Sequence, residues 1–388
     1  MRQFATRLAF VAWLMTVAAI AGPFAHAQEA PGLTGSLYFS AWWDMDARGA
    51  PRSSGIFGAT LPADPVLLRT FTDYATRLIS PDGHLQAAGT YQQRTLAITK
   101  TDDSHRPSVS VALAGGVPPG GAGGADGASF SWLPDGSALL ATLVLFTDPS
   151  QPEGTQFVLF DSALSSNHVL AEVLGPAVVG TPSISEDGSL LAYSQAGGDV
   201  WLQPPAPAER IRLSKRSSQY QRTTAWSPDA SQLAFFEQGD WKTPPFSKIN
   251  EWTLVVAGSD GGNYRPIATF ANTAQPGLSW SPDGTKLAVV APNVSECCSL
   301  ANLSGTVSVI DVATQTLHQV TDFQTGQDSG WTQRPAWSPD GNYIAYGASE
   351  TSEGHLTPHI VDVTTSDRTA IAIPEGASIY GGTIVWAP

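Results

Sequence analysis

An all-β ring of four-stranded blades, a β-propeller, is the fold class this chain predicts, and three observations carry the prediction. A short turn phrase returns six times at near-constant spacing. Each copy is followed at once by an apolar strand-like run, with room for about four strands before the next copy. Nothing between the copies has helical periodicity, and turn formers are dense, with 37 Gly and 29 Pro in 388 residues.

The copies are Leu-Ile-Ser-Pro-Asp-Gly (Leu78–Gly83), Ser-Trp-Leu-Pro-Asp-Gly (Ser131–Gly136), Ser-Ile-Ser-Glu-Asp-Gly (Ser183–Gly188), Ala-Trp-Ser-Pro-Asp-Ala (Ala225–Ala230), Ser-Trp-Ser-Pro-Asp-Gly (Ser279–Gly284) and Ala-Trp-Ser-Pro-Asp-Gly (Ala336–Gly341). Their aspartates fall at 82, 135, 187, 229, 283 and 340, spacings of 53, 52, 42, 54 and 57. In each phrase Pro presets φ for the second turn position, Asp tolerates the third, and Gly supplies the positive φ that closes a hairpin.

The runs after the turns are short and rich in Leu, Ile, Val and aromatics: Leu139–Leu145, Leu190–Tyr193, Leu233–Phe236, Leu287–Val290 and Tyr343–Tyr346. Further alternating runs, such as Trp252–Ala257 and Thr306–Val312, supply outer strands. A stack of separate β domains would need its own core about every 50 residues, too small to be stable alone.

The two ends predict how the ring closes. Gly382–Pro388 repeats the opening of the phrase, with Trp386-Ala387-Pro388 where Trp337-Ser338-Pro339 stood. Three strand-like runs, Ser36–Ser40, Ser54–Thr60 and Pro65–Phe71, precede the first phrase. One C-terminal strand plus three N-terminal strands make a composite blade, which removes exposed sheet edges. The count is then seven, with six or eight as the alternatives.

Trp-Ser-Pro-Asp-Gly followed by Lys286-Leu287-Ala288 or Tyr343-Ile344-Ala345 resembles the repeat of the TolB-type propeller family, related to WD-repeat proteins, and of the propeller domains of prolyl-oligopeptidase-like enzymes. The resemblance spans about Gly35 to Pro388 and implies a propeller used as a binding platform. Two departures limit it. Gln28–Ile79 is too short and strand-like for the α/β domain of TolB, and neither a hydrolase domain nor a Gly-x-Ser-x-Gly elbow is present.

Residues 1–27 read as a cleaved secretory signal: Arg2 and Arg7, an apolar core over Leu8–Ala21, and Ala25-His26-Ala27 as the cleavage site. No Cys lies near the junction, against lipid attachment. Residues 28–388 then form a single propeller domain, secreted or periplasmic, with no further membrane span. Cleavage takes the formal charge from −14 to −16, against nucleic acid or anionic lipid as a partner. The two cysteines, Cys297 and Cys298, are adjacent; a vicinal disulfide, pairing with another chain and free thiols are all open to them.

Connections from the second to the third strand of a blade, and from blade to blade, emerge on one face; the phrase turns emerge on the other. The long ones expected on the first face are Trp42–Arg52, Thr147–Thr155, Gln238–Asn250, Ala291–Ser304 and Ala348–Pro358, with the Gly-rich stretch Gly115–Gly127. With their flanks they carry the candidate ligand-binding residues: Trp42, Trp43 and Asp44, then Trp241 and Trp252 flanking Gln238–Asn250, Cys297 and Cys298, and His355. Exposed tryptophans suit protein hot spots or stacking on sugar rings, and equally cap blade ends as satellite core. Arg77, Arg222 and Arg334 precede their phrases near the channel mouth, where they would hold a carboxylate or form surface salt bridges.

No catalytic, metal or cofactor residues are assigned. His355 and His359 are four apart, which does not put both on one side of a strand. Asp44-Met45-Asp46 lacks the bidentate Glu of a calcium loop, and Gly115–Gly127 lacks the Gly-Lys-Ser/Thr ending of a phosphate loop. The expectation is a non-catalytic platform for a protein or peptide partner in the cell envelope. The alternative is a carbohydrate-active propeller, a polysaccharide lyase, glycoside hydrolase or glycan binder, working at the channel mouth.

Overall fold

Each phrase turn sends the chain back antiparallel to the strand before it, and the repetition closes a ring of seven blades. The computed structural model describes residues 33–388 except 46–50, 72–76, 91–94, 102–108, 113–127, 149–150, 175–177, 196–198, 205–208, 216–222, 240–250, 274–275, 294–303, 325–333, 350–354 and 380–383. The expected signal at 1–27 lies outside the described residues.

The composite blade holds β1 (Ser36–Met45), β2 (Pro51–Thr60) and β3 (Val66–Phe71). The second holds β4 (Arg77–Ile79), β5 (Leu85–Thr90), β6 (Thr95–Lys100) and β7 (Val109–Ala112); the third β8 (Ala128–Trp132), β9 (Ala138–Asp148), β10 (Gln151–Asp161) and β11 (Asn167–Leu174). The fourth holds β12 (Val178–Ile184), β13 (Leu191–Gln195), β14 (Val200–Gln203) and β15 (Ile211–Arg212); the fifth β16 (Thr224–Trp226), β17 (Gln232–Gln238), β18 (Trp252–Gly258) and β19 (Arg265–Phe270). The sixth holds β20 (Gly277–Trp280), β21 (Lys286–Pro292), β22 (Ser304–Asp311) and β23 (Leu317–Gln324); the seventh β24 (Ala336–Trp337), β25 (Tyr343–Ala348), β26 (Thr357–Asp362) and β27 (Arg368–Ala370).

The ring is closed from both ends, as the composite-blade reading expects. Two C-terminal segments rather than one, β28 (Ser378–Ile379) and β29 (Val385–Ala387), pair with β1 and share the innermost position. The innermost strands β4, β8, β12, β16, β20 and β24 adjoin in order, and β29 adjoins β24. Among the described residues no helix is present, so none is long and apolar enough to cross a membrane.

The phrase chemistry explains why the blades form where they do. Ser80, Ser185, Ser227, Ser281 and Ser338 are buried hubs. Each donates its hydroxyl to the phrase Asp at 2.5–2.6 Å and accepts the N–H five residues on at 2.9–3.0 Å. The same Asp oxygen accepts the N–H two residues on, completing an Asx turn. The sixth position is left-handed, φ 69–75° at the five glycines and 57° at Ala230.

The phrase Trp links one blade to the one before it. Trp132, Trp226, Trp280 and Trp337 donate their indole N–H to the carbonyls of Leu78, Ser183, Ala225 and Ser279, at 2.9, 3.4, 2.9 and 3.3 Å. Ile184 replaces Trp in the fourth blade, where Ser131 Oγ instead donates to Pro182 O at 3.3 Å. Between these polar links the facing sheets are apolar; Phe236, Trp252 and Leu254 of the fifth blade pack on Trp280, Leu287 and Val289 of the sixth.

Two expected loops are corrected. Trp42–Arg52 and Thr147–Thr155 are strands for most of their length, with Met45 paired to Pro51 and Asp148 to Gln151. Pro and Gly there signal loops, yet Pro51 opens its strand and the register shifts around Pro152, positions where a ladder tolerates a missing N–H. Only 46–50 and 149–150 remain as connections.

Candidate functional site

Antiparallel order puts the two ends of every blade on opposite faces, and the faces differ. On the phrase face the first-to-second connections are short, for example 227–231, 281–285 and 338–342. These turns nest around the ring: Gly136, Gly284 and Gly341 lie against Pro81, Pro228 and Pro282 of the preceding turn. On the other face the strands of the last three blades separate into 239–251, 293–303 and 349–356, and blade-to-blade segments reach 113–127, 213–223 and 325–335. That face is the candidate site.

Trp42 and Trp43 stand on β1 rather than in a loop, both half-buried. As neighbours on a strand they point to opposite faces of the sheet and form no shared flat platform. Trp43 sits edge-on to Phe57, centroids 6.0 Å apart, and lies over Gly55, where a Cβ would meet its ring at 2.8 Å. Trp42 pairs with Ser378 of β28. Ser378 Oγ accepts the Leu356 N–H at 3.1 Å, and Ile379 N donates to Leu356 O at 2.9 Å. The exposed His355 therefore precedes the residue that bonds β28, the strand paired with Trp42. His359 is instead buried, its Nδ1 3.0 Å from Thr357 O.

Trp252 is 2% exposed, which removes its ring from solvent. Its Nε1–H donates to Thr273 O at 3.2 Å, and Thr273 Oγ1 donates to Pro292 O at 2.6 Å, tying the fifth blade to the sixth. Trp252 therefore supports the base of the 239–251 connection. That base is closed by Gly239 N–H to Glu251 O at 2.7 Å.

Sequence reading missed Glu237 at the same end of β17. It is a buried carboxylate, 2% exposed, accepting the Lys215 N–H at 2.6 Å. It also missed the cluster in the fourth blade where Arg210 lies 4.2 Å over the Trp201 ring and donates to Gln195 Oε1 at 3.1 Å and Tyr193 Oη at 3.4 Å. Burial pushes the Tyr193 hydroxyl above its ordinary pKa, and Arg210 opposes this. An acid or cation at the end of an apolar run was the available signal.

Arg334 comes just before β24, the innermost strand of its blade, and its side chain is partly exposed. Burial pushes its guanidinium below the ordinary value. Arg222, Trp241, Cys297 and Cys298, and the side chains of Asp44 and Arg77, lie outside the described residues. Among the described residues no group of three His, Cys, Asp or Glu converges to hold a metal.

No family model matches the chain. Among solved structures, it is similar to an oligogalacturonate lyase from Vibrio parahaemolyticus, at 10% identity over 90% of this chain and 97% of that one, TM-score 0.56. It is similar also to a functionally unknown protein from Desulfotomaculum acetoxidans, at 14% identity over 90% and 98%, TM-score 0.53. TolB proteins are among its structural neighbours, that of Acinetobacter baumannii at 14% identity over 90% and 83%, TM-score 0.47. At these identities the likeness is one of fold.

Proposed function

We propose that this chain is a non-catalytic propeller of the cell envelope, secreted or periplasmic, that binds a protein or peptide through its long-connection face. The observation that carries the reading is the asymmetry of the ring. On one face the first-to-second connections are short turns whose polar groups are satisfied internally, as at Ser281–Lys286. The other opens into the 239–251, 293–303 and 349–356 connections on a rigid scaffold, the arrangement in which binding residues concentrate. The signal-like segment at 1–27 supports export, and the negative charge argues for a partner other than nucleic acid.

The bond between Gly239 and Glu251 makes the test clean. Replacing 240–250 by an Asn-Gly turn leaves β17 and β18 paired, because the hairpin is already closed at that point. Residues 28–388 would serve as bait in an envelope extract, and the shortened variant is expected to lose most of the partner captured by the parent. Equal capture by both, with both folded, would remove that connection from the interface.

A carbohydrate-active role at the channel mouth, by polysaccharide lyase, glycoside hydrolase or simple glycan binding, is the second reading. The observation favouring it is Arg334, a half-buried cation just before the innermost strand β24, which suits an acidic sugar. A screen against neutral and acidic glycans, read by thermal shift and product release, separates the two readings.

A further inference from the structure

Six arginines have described side chains, and five are paired. Arg69 donates to Thr99 Oγ1 and Lys100 O, both at 3.1 Å, and Arg212 meets Asp199 at 2.8 Å. Arg265 donates to Gln232 Oε1 at 3.0 Å and Val312 O at 3.3 Å, Arg368 to Asp322 O at 3.2 Å, and Arg210 is held by Gln195 and Trp201. These pairings hold sheets and neighbouring blades together. Among the described residues Arg334 alone makes no such contact, although the chain carries 34 acidic residues against 20 basic ones. Scarcity of acids does not explain it; its position does.

Arg334 stands three residues before Trp337, about 10 Å along the innermost strand from the phrase turn and toward the long-connection face. The matching positions in the two preceding blades are Thr223, which donates to Pro276 O at 3.2 Å, and Gly277, which has no side chain. One row nearer the phrase turns the innermost strands carry Leu78, Ser131, Ser183, Ala225, Ser279 and Ala336, small or apolar and uncharged. A half-buried guanidinium with no counter-charge among the described residues carries a desolvation cost that is only partly compensated, and an arriving anion offsets it. Its planar fork of donors matches a carboxylate in two parallel hydrogen bonds.

We propose that Arg334 is the anchor for a single carboxylate of a peptide ligand, an acidic side chain or chain end, entering the channel from the long-connection face. This inference rests on the platform reading and names the chemistry its partner presents. A peptide carboxylate is preferred to a sugar acid because the described surroundings supply one cation and small neutral groups. The two tryptophans of β1, which point to opposite sheet faces, do not form the flat aromatic floor on which a sugar ring stacks.

The first test needs no ligand. Arg334→Gln, which removes an unpaired cation, is expected to leave the Tm of the free protein unchanged or higher; a fall beyond about 2 °C would show a structural pairing and overturn the proposal. The second titrates residues 28–388 with triglutamate, triglutamine and trigalacturonate. Triglutamate is expected to bind, triglutamine with an amidated chain end to bind more weakly, and Arg334→Gln to weaken triglutamate about tenfold or more, with partial rescue in Arg334→Lys. Triglutamate binding that is absent, or indifferent to Arg334, overturns the inference; Arg334-dependent binding of trigalacturonate alone replaces the peptide by an acidic glycan. A protein captured equally by parent and Arg334→Gln sinks this anchor and leaves the platform reading intact, whereas equal capture after shortening 240–250 counts against the platform face.

Discussion

Ser338→Ala is the perturbation whose size the structure defines best. Ser338 is 1% exposed; its hydroxyl donates to Asp340 Oδ1 at 2.6 Å and accepts the Tyr343 N–H at 2.9 Å. Alanine removes both bonds without changing the backbone. The Tyr343 N–H is then left buried without its acceptor, a cost of about 1–3 kcal/mol. The Asp340 carboxylate is exposed and regains water, so its loss adds little. The total is about 1–3 kcal/mol. A domain of this size that unfolds as one unit has an unfolding entropy of roughly 0.7 kcal/mol per kelvin, so Tm should fall by about 1.5–4 °C. Circular dichroism and tryptophan fluorescence, recorded on the same melts, are the assay. Asp340→Ala keeps the Ser338–Tyr343 bond and should cost less than Ser338→Ala. A Tm drop under about 1 °C, or the reverse order of the two variants, would refute the hub argument.

Two further outcomes follow from the same geometry. The carboxyls of Asp187, Asp229 and Asp283 are held below the ordinary range by their phrase serines and by N–H groups two residues on; for Asp340 burial opposes this, but Ser338 and Asn342 prevail. A depressed folded-state pKa gives stability that is complete above the unfolded carboxylate pKa of 3.8 and is lost as pH falls through the folded value. Tm should therefore hold from neutral pH to about 5 and decline below it. Ser281→Ala, whose Asp283 would titrate nearer 3.8, should decline less steeply over that window. Trp280→Phe keeps most of the packing against Leu287 and Val289 but deletes the 2.9 Å bond to Ala225 O, and denaturant unfolding should show a loss of about 1 kcal/mol.

The elements legible in the sequence are those whose stabilising bonds are local. A phrase turn is closed by contacts two and five residues apart, so Ser281, Asp283, Gly284 and the Lys286 N–H appear together in one short string. The apolar runs after them, the sixfold period and the C-terminal echo of the phrase at Trp386 are equally local, and they predict the blades, their number and the composite closure. Hairpin length was misread at Trp42–Arg52 and Thr147–Thr155, because whether Pro ends a strand or sits at its edge or bulge depends on the partner strand.

The candidate site was legible only as a face. That face follows from antiparallel order, which any four-stranded blade imposes. Which residues meet there depends on contacts between distant parts of the chain. Trp42 and Leu356 are linked through Ser378, a partner for β1 that only ring closure supplies. Trp252 reads as a candidate flanking a loop until Thr273, just after β19, accepts its indole N–H and bonds Pro292 of the next blade. Arg334 differs from its five paired counterparts because, among the described residues, the neighbouring β20 presents Gly277 at the matching position and small side chains one row on. The sequence by itself determined a ring of blades, since turn and strand chemistry act within a few residues. Which side chains are spent on holding the ring, and which remain available to a partner, was decided only when the blades packed, since burial and pairing are properties of the closed ring.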